Sequence, residues 1–154
     1  MKPKTSAMFF PDLTKQAPRG PRVRLGGFVI LPRLLDKGRA TIAGKNGEYC
    51  FNCPLDQRFF SFAGISAAAL KKKLATGGSD SEMLAWIMAK TSTRPSALEI
   101  AAWSAAEEQR VPAALEPRAL FSKFHGTCAP EREDIATWFD LLDLDDYVSF
   151  GGKP

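Results

Sequence analysis

The run Phe28-Val29-Ile30-Leu31-Pro32-Arg33-Leu34-Leu35-Asp36-Lys37-Gly38-Arg39-Ala40-Thr41-Ile42 decides the fold class. Phe28, Leu31, Leu34, Leu35, Gly38 and Ile42 recur near one face at helical period, and Arg33, Asp36, Lys37 and Arg39 fall mostly off it. A proline is tolerated in a helix only in the first turn, so Pro32 sets the start near Val29 to Leu31. Gly44 supplies the stop.

Upstream, residues 1–25 read as an extended basic arm packed on the rest of the chain. Pro3, Pro11, Pro18 and Pro21 interrupt any helix there, and no hydrophobic period appears. The apolar run Ala7–Phe10 is shorter than the roughly 7–15 residues of a secretory signal and ends at Pro11-Asp12. No stretch reaches the roughly 18 apolar residues of a membrane span. The cytoplasm is therefore the expected location. The cysteine count of three is odd, which favours reduced thiols.

Downstream, Asn46-Gly47 marks a tight turn and Glu48–Asn52 reads as extended. Pairing that segment with Ala40–Gly44 would give an α+β fold with one small hairpin near 40–52; helix is the preferred reading of the first partner. Pro54 and Asp56 introduce a helical turn carrying Phe59, Phe60 and Phe62. Ser66 caps Ala67–Ala75, with Gly77 as stop. Ser79–Glu82 and Ser96–Glu99 are capping boxes, in which hydroxyl and carboxylate satisfy free N–H groups at a helix start. Pro117 suits a first helical position, with Gly126 ending that helix. Ile135, Trp138, Phe139 and Leu142 trace a last helical face. The expectation is a compact all-α bundle of six to seven short helices, with residues 26–150 as one helical domain and 151–154 as a flexible tail. Trp86, Trp103, Trp138, Phe121, Phe124 and Phe139 are assigned to its core.

The 154 residues, 45% hydrophobic and 25% charged, exclude a disordered chain, a collagen-like repeat and a disulfide scaffold. The net charge of +4 hides an asymmetry: residues 1–77 hold 14 basic and 4 acidic side chains, residues 78–154 hold 7 and 13. A basic half can mark a polyanion partner. The arm, however, lacks the interleaved aromatics of single-strand binders over residues 11–27, and nucleic acid is not the expected partner. The acidic run Asp140, Asp143, Asp145 and Asp146 fails the calcium-loop pattern, because Asp145 and Gly151 stand where a Gly and a Glu are needed. Carboxylates near a helix C-terminus are unfavourable, so that helix either stops near Leu142 or meets basic partners. Contact between Asp140–Asp146 and Arg19–Arg24 would supply them.

Two constellations could carry chemistry. Cys50, Cys53, His125 and Cys128 form two pairs with two-residue spacers, a set that could hold zinc tetrahedrally. Cys50–Cys53 also has the spacing of a redox dithiol, but the βαβ context of thioredoxin-like proteins is missing. The second constellation is Arg33, Asp36, Lys37, Asp56, Gln57 and Arg58, a polar surface that could bind an anion or a protein. Its plainer reading is structural, with Arg33–Asp36 and Asp36–Arg39 as i,i+3 ion pairs. No nucleophile elbow, phosphate loop or dinucleotide fingerprint occurs.

Pro11-Asp12-Leu13-Thr14, Pro21–Gly27, Leu31-Pro32-Arg33, Asp36-Lys37, Asn52–Phe59 and Thr137–Asp146 together resemble a family of bacterial proteins grouped as domain of unknown function 5069. The resemblance spans nearly the whole chain. It implies a small single-domain bacterial protein and implies no activity. The residues point to a non-catalytic binding domain docking a protein or small anion near Arg33, Lys37, Asp56 and Arg58. An enzyme using the Asp/Arg cleft and a zinc-stabilised module are the rivals; no cofactor other than that zinc is expected.

Overall fold

The computed structural model describes residues 8–154. The start of the arm, with Lys2, Pro3 and Lys4, lies outside the described residues. Seven helices form among them: α1 (Leu31–Ile42), α2 (Pro54–Ala63), α3 (Ala67–Leu74), α4 (Asp80–Lys90), α5 (Ala97–Glu108), α6 (Leu115–Cys128) and α7 (Trp138–Ser149). The architecture is all-α. No hairpin forms near 40–52, where Glu48–Asn52 makes turns instead of a strand. Among the described residues the one strand-like pairing is an isolated bridge between Leu25 and Phe28. Gly26 and Gly27 close it at φ 58° and 83°, a twist that residues without a Cβ adopt freely.

α1 is the centre of the molecule. Every residue from Leu31 to Ala40 is buried, charged ones included. Leu31, Leu34 and Leu35 pack with Phe28, Phe59, Leu70, Met83, Ile87 and Phe139 in the main core. The chain enters α1 through Ile30 at φ 72° and ψ −35°, a sparsely populated conformation for a β-branched residue. Hydrogen bonds from Ile30 N–H to the Pro21 carbonyl and from Leu34 N–H to the Ile30 carbonyl hold it there. A second, smaller cluster of Phe121, Ala129, Ile135, Leu141 and Leu144 joins α6 to α7.

Both serine capping boxes form as the sequence predicts, at Ser79/Glu82 and Ser96/Glu99. Three boundaries differ. α6 starts at Leu115, which leaves Pro117 inside the first turn, where its missing N–H has no intrahelical partner to lose. It also runs through Gly126 to Cys128, and Ala129 N–H then donates to the His125 carbonyl and packs in the second cluster. α7 starts at Trp138 because Thr137 and Asp140 form a third capping box. It continues past Leu142 to Ser149 and closes with Gly151 and Gly152 N–H groups on the Val148 and Tyr147 carbonyls, a Schellman arrangement. The expected contact with the arm forms, since Arg22 pairs with both Asp140 and Asp143, but Asp140 sits in the first turn of α7, where the helix dipole already favours a carboxylate. Phe124 is not a core residue; it is 45% exposed.

Gly38 permits the close approach of α1 and α3. A Cβ there would lie 2.5 Å from Leu74 Cδ1 and 3.1 Å from Phe51 Cε2. Replacing a helical Gly by Ala gains roughly 0.5–1 kcal/mol from helix propensity, whereas overpacking a core costs roughly 1–3 kcal/mol. Gly38→Ala is therefore expected to lower stability in denaturant unfolding, by about 1 kcal/mol or more.

Candidate functional site

Four charged side chains leave the buried helix α1, and each meets a partner from a different part of the chain. Lys37 Nζ donates to Asp56 Oδ1 and Oδ2 at 2.9 and 2.8 Å and to Cys53 Sγ at 3.4 Å, so all three ammonium protons are used. The two side chains of that pair are 4% and 0% exposed. Arg33 makes a two-pronged contact with Asp146 of α7 at 2.6 and 3.1 Å. Burial works against the Arg33 charge, and Asp146 outweighs it, leaving the guanidinium above its usual range. Asp36 accepts from the Arg19 backbone and guanidinium at 2.9–3.0 Å. Arg39 donates to Asp80 at 2.7 Å, and Arg19 bridges Asp80 and Asp36. Burial raises the Asp80 carboxyl, but bonds from Arg19 and Arg39 hold it below the ordinary range.

These contacts correct the i,i+3 pairs read from the sequence. Arg33, Asp36 and Arg39 do not pair with one another but with residues 17 to 113 positions away. Nor do the six sequence candidates form one surface. Arg33, Asp36, Lys37 and Asp56 are buried, while Gln57 and Arg58 are exposed on α2. Arg58 pairs with Glu107 of α5 at 2.6 Å, and Gln57 donates to the Asn52 carbonyl.

The zinc set is not assembled. Among the described residues no group of three or more His, Cys, Asp or Glu side chains converges as metal ligands. His125 Nε2 sits 2.6 Å from the Arg132 carbonyl, and Cys128 packs beside the second cluster. Cys53 is instead the N-cap of α2, and Cys50 lies one turn ahead of it in the loop.

Two cavities flank α1. One, about 490 Å³, is lined by Arg19, Asp36, Arg39 and Asp80, whose charges neutralise one another. The other, about 810 Å³, lies against α1, α2, α6 and α7. Its polar wall holds Arg33, Lys37, Tyr49, Cys50, Cys53 and Asp145. Leu13, Leu55, Phe124, Leu142 and Phe150 supply apolar surface. Arg33 stacks 5.5 Å over the Tyr49 ring, and the Tyr49 hydroxyl donates to Asp146 at 2.8 Å. Burial, followed by the Asp146 contact, pushes the Tyr49 phenol up.

Both cations of this second cavity are thus engaged in buried pairs. Its carboxylates are not. Asp145 and Glu48 have no ion-pair partner among the described residues. Burial, with Asp146 and Glu48 nearby, pushes the Asp145 carboxyl up, against the pull of Arg33. The sequence reading leaves Asp145 in an acidic end that either lies beyond the helix or meets basic partners. The signal that could have singled it out is its spacing: Leu142, Asp145 and Ser149 share a helical stripe that faces the cavity.

Removing one partner of a buried pair leaves an isolated charge, at roughly 3–5 kcal/mol; replacing both by apolar groups is often neutral or better. Asp56→Ala is expected to destabilise by about that amount. The double variant Lys37→Met, Asp56→Leu should recover most of the loss in urea unfolding. A double variant no more stable than Asp56→Ala would show that the pair is not acting as a unit.

A family model described as Domain of unknown function (DUF5069) matches residues 15–148. A comparison with curated proteins finds no match. The matched span contains α1, all four of its charge partners and the cavity carboxylates, and the chain belongs to the family of that domain.

Proposed function

We propose that the chain is a non-catalytic binding domain whose ligand is a small amine with an apolar body, seated in the 810 Å³ cleft between α1, α2, α6 and α7. The observation that carries this reading is the balance of engaged and unengaged charge. Arg33 and Lys37 already hold Asp146 and Asp56, while Asp145 faces the cleft with no cation paired to it among the described residues. A ligand ammonium would provide the missing partner. The exposed ring of Phe124 and the apolar side chains of Leu55 and Leu142 suit the rest of such a molecule. The volume lies within the roughly 300–1,000 Å³ of small-molecule sites. The sequence reading offers a protein or a small anion, counting Arg33 and Lys37 as available, and their buried pairs argue for a ligand of the opposite charge. The odd count of three cysteines supports a reducing, cytoplasmic setting.

Asp145 provides the test. Its folded-state carboxyl is shifted up, so it favours folding when protonated, and that contribution is lost as pH rises through the folded value. Asp145→Asn is therefore expected to be more stable than the parent at neutral pH, with the advantage vanishing below the ordinary carboxylate range near about 4. The same variant should bind 2-phenylethylammonium at least about tenfold more weakly, measured by calorimetry. Phenylacetate, of similar size and opposite charge, should not bind the parent chain. Equal binding of amine and carboxylate, or unchanged amine affinity in Asp145→Asn, would overturn the reading.

A further inference from the structure

We infer that Cys50 and Cys53 form a redox-active dithiol that exchanges with low-molecular-weight disulfides. The inference stands on the local geometry at the start of α2 and is independent of what the cleft binds. Phe51 and Asn52 form a turn between the two cysteines, with Asn52 at φ 66°. A four-residue turn keeps its outer Cα atoms within about 7 Å, and a disulfide needs about 4.4–6.8 Å. The turn is anchored on one side by the Phe51 ring, 5.9 Å edge-on to Phe60, and on the other by Asn52 N–H donating to Asp56.

Sulfur also has a chemical setting here that neither cysteine would have on a plain surface loop. Cys53 is the N-cap of α2, a position usually held by an oxygen side chain, and makes no capping bond. The Lys37 ammonium, buried and fixed by Asp56, donates to Cys53 Sγ. That fixed donor meets negative charge on sulfur as it attacks or leaves. Cys50 is exposed, Cys53 is half-buried, and both line the same cleft. The βαβ context expected for such a pair is replaced by a turn ahead of a helix in an all-α chain.

The step balances without a cofactor. Cys50 Sγ, as thiolate, attacks one sulfur of a disulfide RSSR, forming a mixed disulfide and expelling RS⁻, which takes up the proton Cys50 lost. Cys53 Sγ then attacks Cys50 Sγ, forming the internal disulfide and expelling the second RS⁻, which takes up the Cys53 proton. The protein loses two electrons and two protons, and RSSR becomes two RSH. Cys128, at the end of α6 and outside the cleft, serves as the internal reference.

Incubation of the full chain with glutathione disulfide is expected to lower the free thiols from three to one, with a peptide map joining Cys50 to Cys53 and dithiothreitol restoring all three. The pair should react at least about tenfold faster than Cys128. Cys53→Ser should trap glutathione on Cys50 as a stable mixed disulfide, because the second attack is removed. Three persistent thiols, stable glutathione adducts on the parent chain without a Cys50–Cys53 link, or reaction no faster than at Cys128 would each overturn the inference.

Discussion

A helix that is buried on all sides and still carries four charges constrains everything around it. Arg33 and Lys37 leave α1 toward one cavity and Asp36 and Arg39 toward the other, and each needs an opposite charge where it emerges. A misplaced partner would leave a buried charge unpaired, at roughly 3–5 kcal/mol. Burying one leucine is worth roughly 1.5–3 kcal/mol. The electrostatic requirement therefore outweighs any single apolar contact in deciding what may dock on α1. The arm is tied down through Arg19, α2 through Asp56, α4 through Asp80 and α7 through Asp146. No buried side-chain nitrogen or oxygen among the described residues is left without a partner. The pairs act less as a source of stability than as a specification of one arrangement over others.

The same constraint shapes the cleft. Because Arg33 and Lys37 are committed inward, the cleft presents carboxylate, thiol, phenol and apolar groups rather than free cations. A cavity next to two buried cations would ordinarily suggest an anion site. Here Asp145 carries the unbalanced charge, and the position of Cys53 against the Lys37 ammonium follows from how Asp56 holds that lysine. Structure and candidate chemistry share one origin, the need to neutralise α1.

Local signals in the sequence read well. The capping serines, the first-turn prolines Pro32 and Pro54, and the apolar stripe of α1 locate helices because their physics is contained within a few residues. The contact of Arg22 with Asp140 and Asp143 was also legible from the opposite charges of the arm and the last helix, although the helix-end argument does not explain it, because Asp140 lies in the first turn of α7. The start of α7 was missed because Asp140 closes its capping box in place of the usual Glu or Gln. The ion pairs of α1 were misread because opposite charges three residues apart are plausible on an exposed helix. Nothing local reveals that the polar side of α1 is buried too, and its partners lie up to 113 residues away. The cleft was illegible for the same reason: charge counting along the chain cannot tell an engaged cation from a free one.

Native-state hydrogen exchange across the helices tests the central role of α1 most directly. If its paired charges hold the surrounding elements in place, the amides of Leu34 to Ala40 exchange only through global unfolding and share the largest opening free energy in the molecule. Exchange of those amides through smaller, local openings, while α3 or α5 stays protected to the global limit, would contradict the account.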